Sequence, residues 1–140
     1  MIAVDTNVLV YAHRREMPRH KTALTRLRKI AEGTEPWGLP VFCLGEFLRV
    51  VTHPRVFQPP SNLDQALAAL QGIRNSPTVR ILSPGARYPQ LFAEAARAAD
   101  ARGNLGFDAQ IAAVCTEHGV RLPLTMDRDF SSSRRFRWLG

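Results

Sequence analysis

Four acidic residues stand where a chain built only for solubility would not put them. Asp5 directly follows the apolar run Ile2-Ala3-Val4, and Asp127 follows Leu122-Pro123-Leu124-Thr125-Met126. Both runs read as strands, so each carboxylate falls at a strand's carboxyl end, where open α/β sheets build their functional crevices. Glu46 lies inside the apolar stretch Val41–Val51, with Phe42 and Val50 one turn away on either side. An unpaired carboxylate in that setting is costly or loses its charge. Asp108 opens the run Phe107-Asp108-Ala109-Gln110-Ile111-Ala112-Ala113-Val114-Cys115, and helical spacing puts Ile111, Ala112 and Cys115 on its face.

Each acid also has an ordinary structural explanation. Asp5 and Asp108 could cap helices, a contribution of ~1 kcal/mol each. Asp127 and Asp129 could shape the turn Asp127-Arg128-Asp129. Glu46 could pair with Arg49 one turn on, although Arg49 could equally orient it within a site. Caps do not account for Glu46, and a turn does not account for the shared position at two strand ends. One cleft that collects the acids accounts for all of them.

Carboxylates that converge repel each other unless protons or cations compensate. Hard oxygen donors select Mg²⁺ or Mn²⁺, and the scattered histidines His13, His20, His53 and His118 make no zinc-type cluster. His118, just before Gly119, reads as a helix-dipole contact. Mg²⁺ held by carboxylates keeps positions for water and substrate phosphates, and one or two such ions activate water and steady the leaving oxygen in phosphodiester hydrolysis.

Charge outside the acids points the same way. The chain has 140 residues and a formal net charge of +7, and of its 19 basic residues 17 are Arg. The base composition of a gene can produce such a bias, but position says more. Arg14, Arg15, Arg19, Lys21, Arg26, Arg28 and Lys29 crowd one segment, and Arg128, Arg134, Arg135 and Arg137 crowd the C-terminus. Arg grips phosphate oxygens with a planar fork of donors, and clusters of this kind attract polyanions. An acidic metal site ringed by a basic surface suits a nuclease.

These residues need a scaffold, and the pattern supplies one. Apolar residues make up 45% of the chain, enough for a core, and the length suits a single domain over residues 1–140. There is no repeat, no low-complexity tract and no dividing linker. Strands are expected at Met1–Val4, Trp37–Leu39, Val79–Leu82 and Val120–Thr125, with an edge strand at Phe136–Leu139. Helices are expected at Asn7–His13, Thr22–Glu32, Val41–Val51, Leu63–Ile73, Tyr88–Ala101 and Phe107–His118. Thr52-His53-Pro54 ends the third of these and Gly119 the last. Leu63–Leu70 reads as core rather than as a dimer surface. Short apolar strands alternating with helices imply an α/β fold, a three-layer α/β/α sandwich around a short, mostly parallel central sheet. Cys43 and Cys115 read as buried, reduced thiols. No leader pattern and no apolar run of membrane-spanning length are present, so a cytoplasmic protein is expected.

With these residues in view, the chain resembles the PIN domain, and more narrowly the VapC toxins of bacterial VapBC toxin–antitoxin modules. The resemblance rests on Val4-Asp5-Thr6-Asn7-Val8-Leu9, on Glu46 in its apolar helix, on Phe107-Asp108-Ala109-Gln110-Ile111-Ala112, and on Leu124-Thr125-Met126-Asp127-Arg128-Asp129-Phe130. The segment Gly45–Val56 also resembles one VapC subgroup. The match runs over essentially the whole chain, and its opening and closing motifs are fairly specific together. It implies a Mg²⁺- or Mn²⁺-dependent endoribonuclease that halts translation by cutting RNA, a cognate VapB antitoxin that blocks the site, and a homodimer. By the same resemblance Asp5 and Asp108 are the principal metal ligands, and Glu46 and Asp127 complete the acidic site. Thr6, Asn7 and Thr125 would hold carboxylates or waters, and Asp129 would anchor the turn or meet a second metal.

Other functions remain open at this point. A PIN-type RNA-processing nuclease would carry the same acids without an antitoxin. An Arg-rich RNA-binding module would keep them as caps and bind RNA with salt sensitivity but without need of a metal. A metal-dependent phosphatase is less well supported, since no glycine-rich phosphate loop is present.

Overall fold

The computed structural model describes residues 1–120 and 123–124 of the 140-residue chain. Ten elements alternate along it. They are β1 (Ile2–Val4), α1 (Thr6–His13), α2 (His20–Ala31), β2 (Trp37–Pro40), α3 (Phe42–Val51), α4 (Leu63–Arg74), β3 (Val79–Leu82), α5 (Tyr88–Ala98), α6 (Leu105–Glu117) and β4 (Pro123–Leu124). The expected edge strand at Phe136–Leu139 and the residues Thr125, Asp127 and Asp129 lie outside the described residues.

The strands form one parallel sheet in the order β3-β2-β1-β4. Ile2 pairs with Trp37, Leu39 with Ile81, and Val4 with Leu124. Two helices separate each consecutive pair of strands. β1, β2 and β3 step in one direction across the sheet, and the last connection then returns to the far side of β1. Right-handed crossovers therefore place α1–α4 on one face and α5–α6 on the other. The strand order reverses between β1 and β4. Loops diverge there and leave a crevice at the carboxyl ends of the strands.

The core sits between these layers. Val4, Val8, Leu9, Trp37, Leu39, Phe47, Val51, Ile111 and Val114 are all buried in one cluster. Trp37 satisfies its indole by donating from Nε1 to Ser76 Oγ at 3.0 Å, and Ser76 in turn donates to the Ala31 carbonyl at 2.6 Å. α4 starts on a capping box: Asn62 Oδ1 accepts from Gln65 N at 2.8 Å, and Gln65 Oε1 accepts from Asn62 N at 2.9 Å. Its inner face buries Ala66 and Leu70 as expected, whereas Leu63 and Leu67 face solvent.

The end of α5 and the start of α6 differ from expectation for local reasons. α5 ends at Ala98 instead of continuing to Ala101, because Asp100 takes a left-handed conformation (φ 47°). Ala101 N then donates to Ala96 O at 2.9 Å, a six-residue closure that Gly usually provides. α6 begins at Leu105, so Asp108 lies within its first turn and Asn104 holds the N-cap position. Asp108 therefore neither opens nor caps this helix. At the other end Gly119 (φ 74°) closes α6 as its position predicts, with Val120 N donating to Cys115 O at 2.9 Å.

Candidate active site at the carboxyl edge of the sheet

Asp5 leaves β1 at the centre of the sheet, beside the reversal in strand order, and caps α1. Its backbone is extended (φ −84°, ψ 160°), and Oδ1 accepts from Thr6 N at 2.7 Å. The capping explanation thus holds, but it is incomplete. Caps normally sit at the surface, whereas Asp5 is only 1% exposed. The placement is topological: a residue at the end of the central strand, with the next helix starting immediately, has sheet or helix on every side.

The charge of that carboxylate reaches two helices. Burial pushes the Cys43 thiol of α3 well above its ordinary pKa, and the negative field of Asp5 pushes it further. Cys115 of α6 is raised to about 12 by burial and by the same carboxylate. Both thiols are buried and free, as expected. Asp5 therefore stands where α3 and α6 meet the end of β1.

Glu46 reaches the same corner. It is half-buried on α3, three residues beyond Cys43 and so on the same side of the helix. Burial raises its pKa, and the Arg49 guanidinium and the Thr6 hydroxyl pull it back down. Among the described residues Arg49 closes no ion pair with Glu46, so it acts through its field and keeps its donors available. The Thr6 hydroxyl is fully buried and makes no hydrogen bond of good geometry among the described residues, yet it stands close enough to favour the charged forms of Glu46 and Cys43.

A cleft of about 220 Å³ opens between α3 and α6, lined by Phe42, Gly45, Glu46, Arg49, Phe107 and Gln110. Asp108 is half-buried between the two α6 positions that line it on that side. Asn7 is half-buried in the first turn of α1. Asp5, Thr6 and Glu46 are thus brought together, and Asp108 follows the lining residue Phe107 on α6 without itself lining the cleft. Phe107 and Gln110 were not singled out from the sequence as site residues; the available signal was their adjacency to Asp108 in a helix's opening turns.

The donors at this corner are hard oxygens, the kind a divalent cation such as Mg²⁺ takes. Among the described residues no group of three or more His, Cys, Asp and Glu side chains forms a ready coordination shell. Mg²⁺ does not need one, since it is usually bound by one or two carboxylates and keeps several waters. A buried carboxylate, a second whose charge burial opposes, and a buried hydroxyl without a full hydrogen bond are the environment such an ion would relieve. The fit is to oxygen-seeking metals. Cys43 and Cys115 are buried, and burial together with the Asp5 carboxylate raises both thiols.

The remaining histidines serve the scaffold. His118 Nε2 lies 2.8 Å from the Ser83 carbonyl, His20 Nδ1 lies 2.8 Å from the Tyr11 carbonyl, and His13 Nε2 lies 2.8 Å from Ser61 Oγ. His118 thus ties the end of α6 to the loop after β3. Among the described residues no helix is long and apolar enough to cross a membrane.

Comparison with known proteins agrees with this architecture. The family model of the PIN domain matches residues 2–135. A VapC ribonuclease of Mycobacterium bovis and ribonuclease VapC43 of Mycobacterium tuberculosis are each 40% identical to the chain over 138 residues, covering 99% of it and 93% of the relative. Ribonuclease VapC25 of M. tuberculosis is 33% identical over 131 residues, covering 94% of this chain and 92% of that one. The crystal structure of M. tuberculosis VapC20, described as a toxin cleaving the sarcin-ricin loop, superposes with a TM-score of 0.68 over 98% of both chains at 24% identity, a likeness of fold.

Proposed function

This chain belongs to the PIN-domain family, in the company of VapC ribonucleases, and from that premise we propose that it is the toxin endoribonuclease of a toxin–antitoxin module, hydrolysing phosphodiester bonds of RNA and arresting translation and growth. The observation that carries the reading is the buried Asp5 carboxylate at the carboxyl edge of the central strand, with Glu46 brought to the same corner from α3.

Asp5 and Asp108 are assigned as principal ligands of a Mg²⁺ or Mn²⁺ ion, with Glu46 and Asp127 completing the acidic site. Such an ion, when bound, supplies an activated water and stabilises the leaving oxygen. Thr6 N fixes the rotamer of Asp5 by donating to one carboxylate oxygen, so the other faces a constant direction. Burial raises the pKa of Glu46, and the Arg49 guanidinium and the Thr6 hydroxyl work against that rise by favouring its charged form. Arg49 also presents a cation at the mouth of the cleft, where it can meet a substrate phosphate. Asn7 and Thr125 are assigned to hold carboxylates or waters, and Asp129 to anchor the turn or meet a second metal.

The partners follow from the family: RNA as substrate, a VapB-like antitoxin, and a second copy of the chain. The antitoxin reading is supported by a groove of about 740 Å³ between α1, α2 and α4, floored by Leu9, Leu24, Leu27 and Ile73 with Arg15 and Arg28 at its rim. An amphipathic helix with acidic flanks matches that surface.

The test is cleavage of total cellular RNA by the purified protein with Mg²⁺ or Mn²⁺ and with EDTA, beside Asp5→Asn. Discrete fragments that need the metal and vanish in the variant support the reading. RNA binding that ignores EDTA, with no cleavage by a folded protein, refutes it.

A further inference from the structure

The acids account for hydrolysis but not for what holds the RNA in register, and the cleft beside them carries other groups. Among the described residues Phe107 is the only exposed Phe, Tyr or Trp, at 52%, and it stands immediately before Asp108. Neighbouring rings behave differently. Phe42 and Tyr88 pack with centroids 5.8 Å apart, Tyr88 and Phe92 at 6.0 Å, and all three are half-buried. Phe42 also lines the cleft, but Phe107 is the lining ring that stands exposed.

Around Phe107 the cleft holds one group of each kind a nucleotide needs. Gln110, one turn further along α6, offers an amide donor and an amide acceptor. Arg49 offers a guanidinium from the opposite wall. At Gly45 an added Cβ would meet nothing within 4 Å, so that part of α3 leaves open space. The volume of about 220 Å³ is below the roughly 300–1,000 Å³ of a drug-sized pocket, a size for one base rather than a folded ligand.

We infer that Phe107 is the stacking platform for an unpaired nucleobase next to the scissile phosphodiester, with Gln110 at the edge of that base and Arg49 on an adjoining phosphate. Sequence-tolerant recognition of single-stranded nucleic acid combines aromatic platforms with cations along the backbone, and both elements are present here. Phe107 is a positioning residue. It rests on the ribonuclease reading, because the neighbouring acids give the bound strand a reaction to undergo.

The experiment compares wild type, Phe107→Ala, Phe107→Tyr, Arg49→Ala and Gly45→Leu in two assays. One is cleavage of total cellular RNA with Mn²⁺, followed as kcat and KM on an oligonucleotide spanning a mapped cut. The other is binding of a fluorescent single-stranded RNA 12-mer in EDTA over a range of salt. Phe107→Ala is expected to raise KM and weaken binding by about 5- to 150-fold, with kcat less affected and the salt slope unchanged, since stacking releases no counterions. Phe107→Tyr should restore both. Arg49→Ala should lower the salt slope by about one phosphate contact. Gly45→Leu fills the open space from an exposed helical position, so it should weaken binding in a fully folded protein.

Unchanged KM and binding in Phe107→Ala overturns the inference. So does a change in its mass in solution with RNA binding intact, which would make Phe107 a protein–protein contact. Absence of any cleavage by wild type refutes the ribonuclease reading and is distinguished by the binding assay, which needs no metal.

Discussion

Cys43 Sγ lies 4.0 Å from the carbonyl oxygen of Val4, toward which its thiol is directed. This contact ties the first turn of α3 to the last residue of β1, thirty-nine positions earlier. It sets Glu46, less than a turn further along α3, at the corner where Asp5 begins. A buried thiol is small enough to let the helix approach and, held protonated, adds no charge beside the acids.

The first prediction concerns that thiol and its counterpart on α6. Burial and the Asp5 carboxylate hold Cys43 far above its ordinary value and Cys115 at about 12. The thiolate is the reactive form, so neither residue should react with iodoacetamide near pH 8 in the native protein, and both should react on unfolding. Mass spectrometry with and without denaturant reads the difference. Rapid native labelling would contradict the packing described.

Asp5→Asn and Asp108→Asn should each lower RNA cleavage by more than about 100-fold, since even residues that only support a metal's ligands change activity by ~10–100-fold. The fold should persist, because Asn at position 5 retains the acceptor for Thr6 N and Asp108 makes no cap to lose. Circular dichroism checks the fold and gel analysis the cleavage. EDTA should reproduce the loss in wild type, and Mn²⁺ should reverse it.

His13 makes stability depend on pH. Its pKa is lowered by burial and by Arg14, with Glu16 opposing, while its ring meets Ser61 Oγ and packs edge-on against Phe47 at 5.4 Å. Below its unfolded value of about 6.5 the unfolded chain takes up the proton more readily than the folded one. The contribution is therefore complete above about pH 6.5 and is lost as pH falls through the lowered folded value. Thermal melts between about pH 7.5 and pH 5 should show Tm falling with acid, and His13→Gln should flatten that fall. Equal slopes for the two proteins would remove His13 as the cause.

Gly38 is needed for a close approach within the sheet. A Cβ there would stand 2.7 Å from Leu82 Cδ1 and 3.0 Å from its Cγ, and Leu82 is itself buried between layers. Gly38→Ala should destabilise the protein by ~1–3 kcal/mol, the usual cost of overpacking. Urea unfolding should show a lower midpoint with an unchanged slope.

Much of this architecture was legible locally. Helical and strand periods depend on neighbouring residues alone, so nine elements stand close to their expected places, and Asn62, Pro54 and Gly119 end or begin helices by their own chemistry. The early end of α5 was less legible, because a left-handed Asp100 closes the helix where Gly would ordinarily be expected. Asp108 as a cap was mistaken because Leu105 and Gly106 extend α6 upstream, where no apolar period announces the start.

By itself the sequence determined the elements, the acid at the end of β1 and the family to which the chain belongs, since each is carried by short-range pattern and motif. Only the tertiary structure decided that β1 lies between β2 and β4, that Asp5 is buried rather than a surface cap, and that Glu46, Arg49, Phe107 and Gln110 line one cleft. Those facts join segments thirty-five to a hundred and twenty residues apart. Which strand pairs with which, and which helix face turns inward, follows from the packing of the whole core, and no local preference encodes it.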